Sequence, residues 1–193
     1  MNNPVIVKSA SMHGSVGIAQ ASVVSNDEKL KERVEFIHDH IQTDTIVEEY
    51  IEGRELYVGV IGNRRLQVLP VWEMVFKNMP DGTVPIATAR VKHDPEYQEK
   101  RGIMQQEAQD LGEGMADRIA RITKRIYRIL ELDGYARIDY RLGRDGTLYF
   151  LEANANPDIG KSEEFASSAD AAGIPYPELI RRILSLGLRR AGR

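Results

Sequence analysis

Apolar positions along the chain recur in two rhythms. Pro4 to Lys8 (PVIVK) and Val16 to Ala21 (VGIAQA) are short apolar runs, predicting two strands around the turn-forming stretch Ser9 to Ser15. Ser25-Asn26-Asp27-Glu28 supplies a cap and an acidic first turn, and Leu30, Val34, Ile37 and Ile41 follow at helical spacing. Thr45 to Tyr50 reads as a strand; Glu55 to Ile61 and Arg65 to Trp72 read as two more, joined at Gly62-Asn63. From Lys77 to Gly102 the pattern is irregular, with three prolines, and predicts a long functional loop with one strand inside it. Glu113 to Leu132 predicts the strongest helix, with Ile119, Ile122, Ile126 and Ile129 on one stripe and Gly134 at its stop. Alternating strands over Tyr135 to Leu142 and Thr147 to Ala153 flank an Asp145-Gly146 turn, and a last helix covers Pro177 to Arg190. Sheets with intervening helices and no internal repeat give the α+β class.

Composition narrows the chemistry. The 193 residues include no cysteine, which excludes disulfides, a thiol nucleophile and sulfur-ligated zinc, so any metal must be held by oxygen or imidazole. A formal charge of −3, from 26 Lys and Arg against 29 Asp and Glu, gives no global field for nucleic acid. Phosphate binding must therefore be local. No apolar run approaches a membrane span and no leader pattern is seen, so a cytoplasmic chain without membrane contact is expected.

On the strands of the last hairpin, residues two apart share a face. Arg137, Asp139 and Arg141 point one way on the first strand; Leu148, Phe150, Glu152 and Asn154 point one way on the second. Closing the turn on Arg144 and Thr147, or on Leu142 and Thr147, brings both sets to one face. In the second register Asp139 lies opposite Phe150 and Arg137 opposite Glu152. Two carboxylates and an amide on one face are costly unless neutralised, and hard oxygen donors select magnesium or manganese. Arg137 pairing with the acids on a solvated face is the equal alternative. Two weaker features precede the hairpin. Lys8 with Gly14, Ser15, Val16 and Gly17 combines a mobile charge with a backbone that can approach an anion. The acidic connector Glu48 to Glu55 offers carboxylates and free main-chain groups to an adenine edge and ribose.

Taken in order, VIVKSASMHGSVGIAQ, IVEEYIEGRELYVGVIGN, GYARIDYRLGRDGTLYFLEANANPDIG and AAGIPYPELIRRIL resemble the ATP-grasp superfamily, in its D-alanine–D-alanine ligase branch. The resemblance covers essentially the whole chain. It implies an ATP-grasp fold, with residues 1–47 a partial small lobe and 48–193 a large lobe. It also implies an ATP- and Mg²⁺-dependent carboxylate–amine ligase acting through an acyl phosphate, with Mn²⁺ as a substitute cation. Lys8 would contact phosphates under a lid of Gly14, Ser15, Val16 and Gly17. Glu48, Glu49, Tyr50 and Ile51 would face adenine, Glu55 the ribose and Lys92 a phosphate. Asp139, Glu152 and Asn154 would ligate magnesium, and Arg137 would stabilise the acyl phosphate. The partners implied are small carboxylate and amine substrates, with a partner chain or dimer as a further option.

Two departures bear on this. The chain opens at the Lys8 strand, where the family has a preceding domain and another phosphate-binding lysine, so activity alone is expected to be reduced or conditional. After Pro157 the family's Gly-Met-Thr and serine are replaced by Asp158 to Glu163, so the acceptor need not be D-alanine. A P-loop reading of Ala155 to Ser162 fails because Pro157 lacks a donor and Asp158 places negative charge where phosphate would sit. His38 and His40 fall on different helix faces, and His13 reads as an exposed loop histidine.

Overall fold

The computed structural model describes residues 3–12 and 14–191, so His13 lies outside the described residues. The chain divides into two compact units, Met1–Glu52 with Val75–Met104, and Gly53–Met74 with Gln105–Arg193. Residues 75–104, expected in the large lobe, thus group with the amino-terminal strands. The Ser15 hydroxyl donates to the Ala87 carbonyl at 2.6 Å, and the Gln20 amide exchanges two 2.9 Å hydrogen bonds with the Val84 main chain.

In the first unit, β1 (Val5–Ser9) lies between β2 (Val23–Val24) and β3 (Thr45–Glu49), all antiparallel. Helix α1 (Asp27–Phe36) starts where the Asn26 side chain accepts the Lys29 N–H at 2.9 Å. It continues through a wider turn at Ile37–Ile41 and stops at Gln42, whose φ is 57°. Val7, Val24 and Ile37 form the core with Leu30, Val34 and Ile41 packed against it. The strand expected at 16–21 is absent. Gly14, Ser15 and Gly17 all adopt positive φ, which winds the backbone out of the extended form, and pairing begins only at Val23. The region 77–102 holds no strand either but two short helices, α2 (Ala89–His93) and α3 (Pro95–Arg101). Thr88 and Asp94 cap them by accepting the N–H groups of Val91 and Tyr97, and Pro95, one of the three prolines read as irregularity, is the first residue of α3.

The second unit is built on a sheet ordered β6-β4-β8-β9, with β7 (Ile103–Glu107) beyond β6 (Trp72–Phe76) and the two-residue β5 (Gln67–Val68) on the end of β4 (Gly53–Ile61). The expected 65–72 strand is therefore split: β5 closes the hairpin and β6 returns along β4. Strands β8 (Tyr135–Gly143) and β9 (Leu148–Asn154) match the expected hairpin closely. One sheet face packs Leu56, Val58, Ile138 and Tyr140 against Ile119 of α4 (Met115–Ile129). Tyr140 and Thr123 share a buried 2.7 Å hydrogen bond that fixes this helix to the sheet. Ile129, expected on the buried stripe, is 66% exposed at the helix end. Helices α5 (Glu164–Ala171) and α6 (Tyr176–Ala191) bury Phe165, Ala169 and Leu179 with Ile61 and Leu69.

Gly53 opens β4 opposite Gly143, and a Cβ there would lie 2.1 Å from the Leu142 carbonyl oxygen. That neighbour is backbone and cannot yield. Gly53→Ala should lower unfolding stability by about 1–3 kcal/mol, read as a lower denaturant midpoint. No helix among the described residues is long and apolar enough to cross a membrane.

Candidate functional site

The β8–β9 register decides what the hairpin can hold. Asp139 pairs with Glu152 and Arg137 with Asn154, whereas Tyr140 pairs with Phe150. Leu151 is thus an extra residue, a bulge in β9. At the acidic end the strands follow the first of the two registers weighed above, and Asp139 faces Glu152 rather than Phe150. Toward the turn the bulge reverses the alternation, placing Tyr149 rather than Phe150 opposite Arg141. On the other side of β8, Glu55, Tyr57 and Gly59 of β4 pair with Arg141, Asp139 and Arg137. One sheet face therefore collects Glu55, Tyr57, Arg137, Asp139, Arg141, Glu152 and Asn154.

Arg137 is the hub. Its Nε and Nη2 donate to the two Asp139 oxygens at 2.7 and 2.8 Å, its Nη1 pairs with Glu164 at the start of α5, and its guanidinium carbon lies 5.0 Å from the Tyr57 ring centre. The Asn154 amide donates to Asp139 at 3.2 Å and to Glu152 at 3.3 Å. Beside them Arg141 pairs with Glu55 at 3.2 Å, and the Tyr57 hydroxyl donates to Glu55 at 2.8 Å. Burial pushes the Asp139 carboxyl up to about 7; Arg137 pulls against this, and the charges of Glu152 and Glu55 add to it. Desolvation alone would lower the Arg137 pKa, but Asp139 and Glu164 more than reverse that and hold it protonated.

Four carboxylates, Glu55, Asp139, Glu152 and Glu164, thus meet two guanidiniums, Arg137 and Arg141, leaving a formal excess of two negative charges when all are ionised. A divalent cation balances that excess. Among the described residues no three His, Cys, Asp or Glu gather as a ready metal cage. The donor set is instead two carboxylates and an amide, and turning the Asn154 amide presents its oxygen beside them. Hard oxygen donors with open positions for water suit magnesium. The residues fit such an ion chemically.

In the first unit, Lys8 forms an ion pair with Glu48, which lies opposite Ile6 and so diagonally across the β1–β3 ladder on the same face. Glu49 accepts from Asn3 at 3.1 Å, the Tyr50 N–H donates to the Pro4 carbonyl at 3.0 Å, and Ile51 is half-buried. Gly14, Ser15, Val16 and Gly17 form a wound loop whose Gly17 carbonyl accepts from the buried Arg33. Lys92 sits half-buried on α2. Glu55 is 9% exposed and its carboxylate is engaged on both oxygens, so ribose binding there requires exchange of a partner.

Glu164, Tyr57 and Arg33 were not singled out from sequence. Arg33 lies three residues after Leu30 and four before Ile37, on the inward stripe, and that position was its signal. Glu164 had none, because the only apolar markers α5 offers are Phe165 and three alanines.

Residues 1–185 match the family model described as D-ala D-ala ligase C-terminus. The D-alanine–D-alanine ligase of Desulfotalea psychrophila is 30% identical over 97% of this chain and 55% of its own length. An uncharacterized protein, y4sG, of Sinorhizobium fredii is also 30% identical, over 97% of this chain and 53% of its own. Among solved structures, the Bacillus anthracis D-alanine–D-alanine ligase complexed with ATP superposes with a TM-score of 0.72 at 23% identity, covering 96% of this chain and 53% of that one. The VanG D-Ala:D-Ser ligase of Enterococcus faecalis gives a TM-score of 0.74 at 21% identity, with 96% and 50% covered. The chain spans about half the length of the curated relatives it matches. With a family model matched along almost its entire length, the chain belongs to the D-alanine–D-alanine ligase C-terminal family and has its ATP-grasp fold.

Proposed function

We propose that this chain is the ATP- and Mg²⁺-binding region of a cytoplasmic carboxylate–amine ligase. The observation carrying the reading is the convergence of Asp139, Glu152, Asn154 and Arg137 on one sheet face of a chain in this ligase family. Asp139, Glu152 and Asn154 would hold Mg²⁺, or Mn²⁺ in its place. Bound there, the cation draws charge off the phosphates of ATP.

Lys8 supplies a positive charge to those phosphates, for which it must leave Glu48. The Ser15 hydroxyl is committed to Ala87, so main-chain N–H groups of Gly14 to Gly17 are the loop's anion-binding parts. Glu48, Glu49, Tyr50 and Ile51 take the adenine edge, Glu55 the ribose and Lys92 a phosphate. In the reaction a substrate carboxylate attacks the γ-phosphorus and ADP leaves. An amine then attacks the acyl carbon, releasing phosphate and forming an amide. Arg137, kept protonated, stabilises negative charge on the acyl phosphate.

Calorimetry with ATP, with and without Mg²⁺, and ADP release with candidate amino acids and dipeptides test the proposal. Mg²⁺-dependent binding is expected, with turnover once an acceptor site is complete, whether in this chain or with a partner. ATP binding with ADP at background would leave a nucleotide-binding module instead. Lys8→Ala should weaken ATP binding roughly tenfold or more, the loss of a charge-assisted phosphate contact. Lys161→Ala should leave it unchanged. The Asp158 carboxylate accepts the Gly160 N–H at 2.8 Å, taking a donor that a phosphate loop would need, and an equal collapse for Lys161→Ala would favour that loop.

A further inference from the structure

The second unit has a cavity of about 600 Å³ whose lining includes none of the acidic-face residues. That volume falls within the roughly 300–1,000 Å³ of small-molecule sites. Its walls come from the turn after β4 and from α6. Four arginines line it, Arg65 from the turn and Arg181, Arg182 and Arg189 from the helix, against the single carboxylate of Glu178. The formal charge of this lining is therefore +3, on a chain whose total is −3.

The charges are unevenly satisfied. Glu178 is shared by Arg181 and Arg182, and the other arm of Arg182 donates to Gln67 at 3.1 Å, tying α6 to β5. Arg65 and Arg189 form no ion pair among the described residues. The turn carrying Arg65 is itself anchored: the Tyr127 hydroxyl donates to the Gly62 carbonyl at 2.9 Å, and the Gly62 N–H donates to Gly134 at 2.7 Å. Leu184, 61% exposed, adds an apolar wall. Peptide dipoles at a helix C-terminus explain Arg189, but not a guanidinium brought to the same cavity from another element.

We propose that this cavity binds a small molecule bearing two or more phosphoryl charges, held by Arg65 and Arg189 with its organic part against Leu184. Guanidinium forks match phosphate oxygens two at a time, and the one carboxylate in the lining leaves three of the four positive charges unneutralised.

The test is a titration of the ¹⁵N-labelled chain in EDTA with inorganic pyrophosphate and with ADP, following the amides of Gly62, Leu66 and Ser185. Saturable shifts that weaken with salt are expected there, with affinity falling roughly tenfold in Arg65→Ala/Arg189→Ala. Both side chains are exposed, so the fold is retained. EDTA withholds the cation that the proposed nucleotide site needs, so the amides of Ser15 and Val16 should stay unshifted in this titration; with Mg²⁺ in place of EDTA, ADP should shift them equally in the parent and the variant. Tighter binding of ADP than of pyrophosphate is expected, and equal binding would overturn the contact with Leu184. Unsaturable shifts at the cavity amides, or the same affinity in the variant, would overturn the proposal.

Discussion

Arg137→Met is expected to destabilise the protein by about 3–5 kcal/mol, because it removes the positive partner of two buried carboxylates and leaves both uncompensated. The side chains of Arg137, Asp139 and Glu164 are 11%, 5% and 8% exposed, so water cannot take over the lost pairing. Chemical unfolding monitored by circular dichroism measures the effect. Arg137→Lys should recover only part of it, since an ammonium restores the charge without the fork that meets both Asp139 oxygens. An Arg137→Met protein as stable as the parent would mean the network is a solvated surface, the alternative that sequence left open.

The second large effect concerns Asp139. Its carboxyl is raised to about 7 in the fold from 3.8, so the folded state binds more protons than the unfolded chain between those values. This group's contribution to stability is therefore present at low pH and is lost as pH rises from about 4 to about 7. Cation binding runs the other way. A divalent ion needs the ionised carboxylate, so Mn²⁺ affinity should climb as pH rises toward about 7 and level off above it, with proton release on binding. Asp139→Asn removes the ionisable ligand and should weaken Mn²⁺ roughly a hundredfold or more while flattening the pH dependence, both readable by electron paramagnetic resonance. Unchanged affinity, or a profile falling with pH, would remove Asp139 from the site.

Much of this site was legible in the sequence because strand alternation has a period of two. Asp139, Glu152 and Asn154 had to share a face in either register considered. The register itself was not legible: the run Leu148 to Leu151 is uniformly apolar and aromatic, and nothing in it marks Leu151 as the residue that steps out of the ladder. The winding of residues 14–17 was hidden for a related reason. VGIAQA has strand-like composition, but Ser15 takes a left-handed conformation that its residue type does not announce. Thr88 and Asp94-Pro95 were readable as helix starts, and the prolines around them drew attention to irregularity instead. Glu164 reaches Arg137 only through tertiary packing of α5, which no local pattern encodes.

The most direct test of the acidic face as a cation site is calorimetric titration of ATP with Mg²⁺ into the parent and Glu152→Gln proteins. Glu152 is exposed, so the change removes a charge without emptying a packed position. Mg²⁺-dependent binding that weakens about tenfold or more in Glu152→Gln, at an unchanged unfolding midpoint, is the predicted result. Equal affinities in the two proteins, or binding indifferent to Mg²⁺, would contradict it.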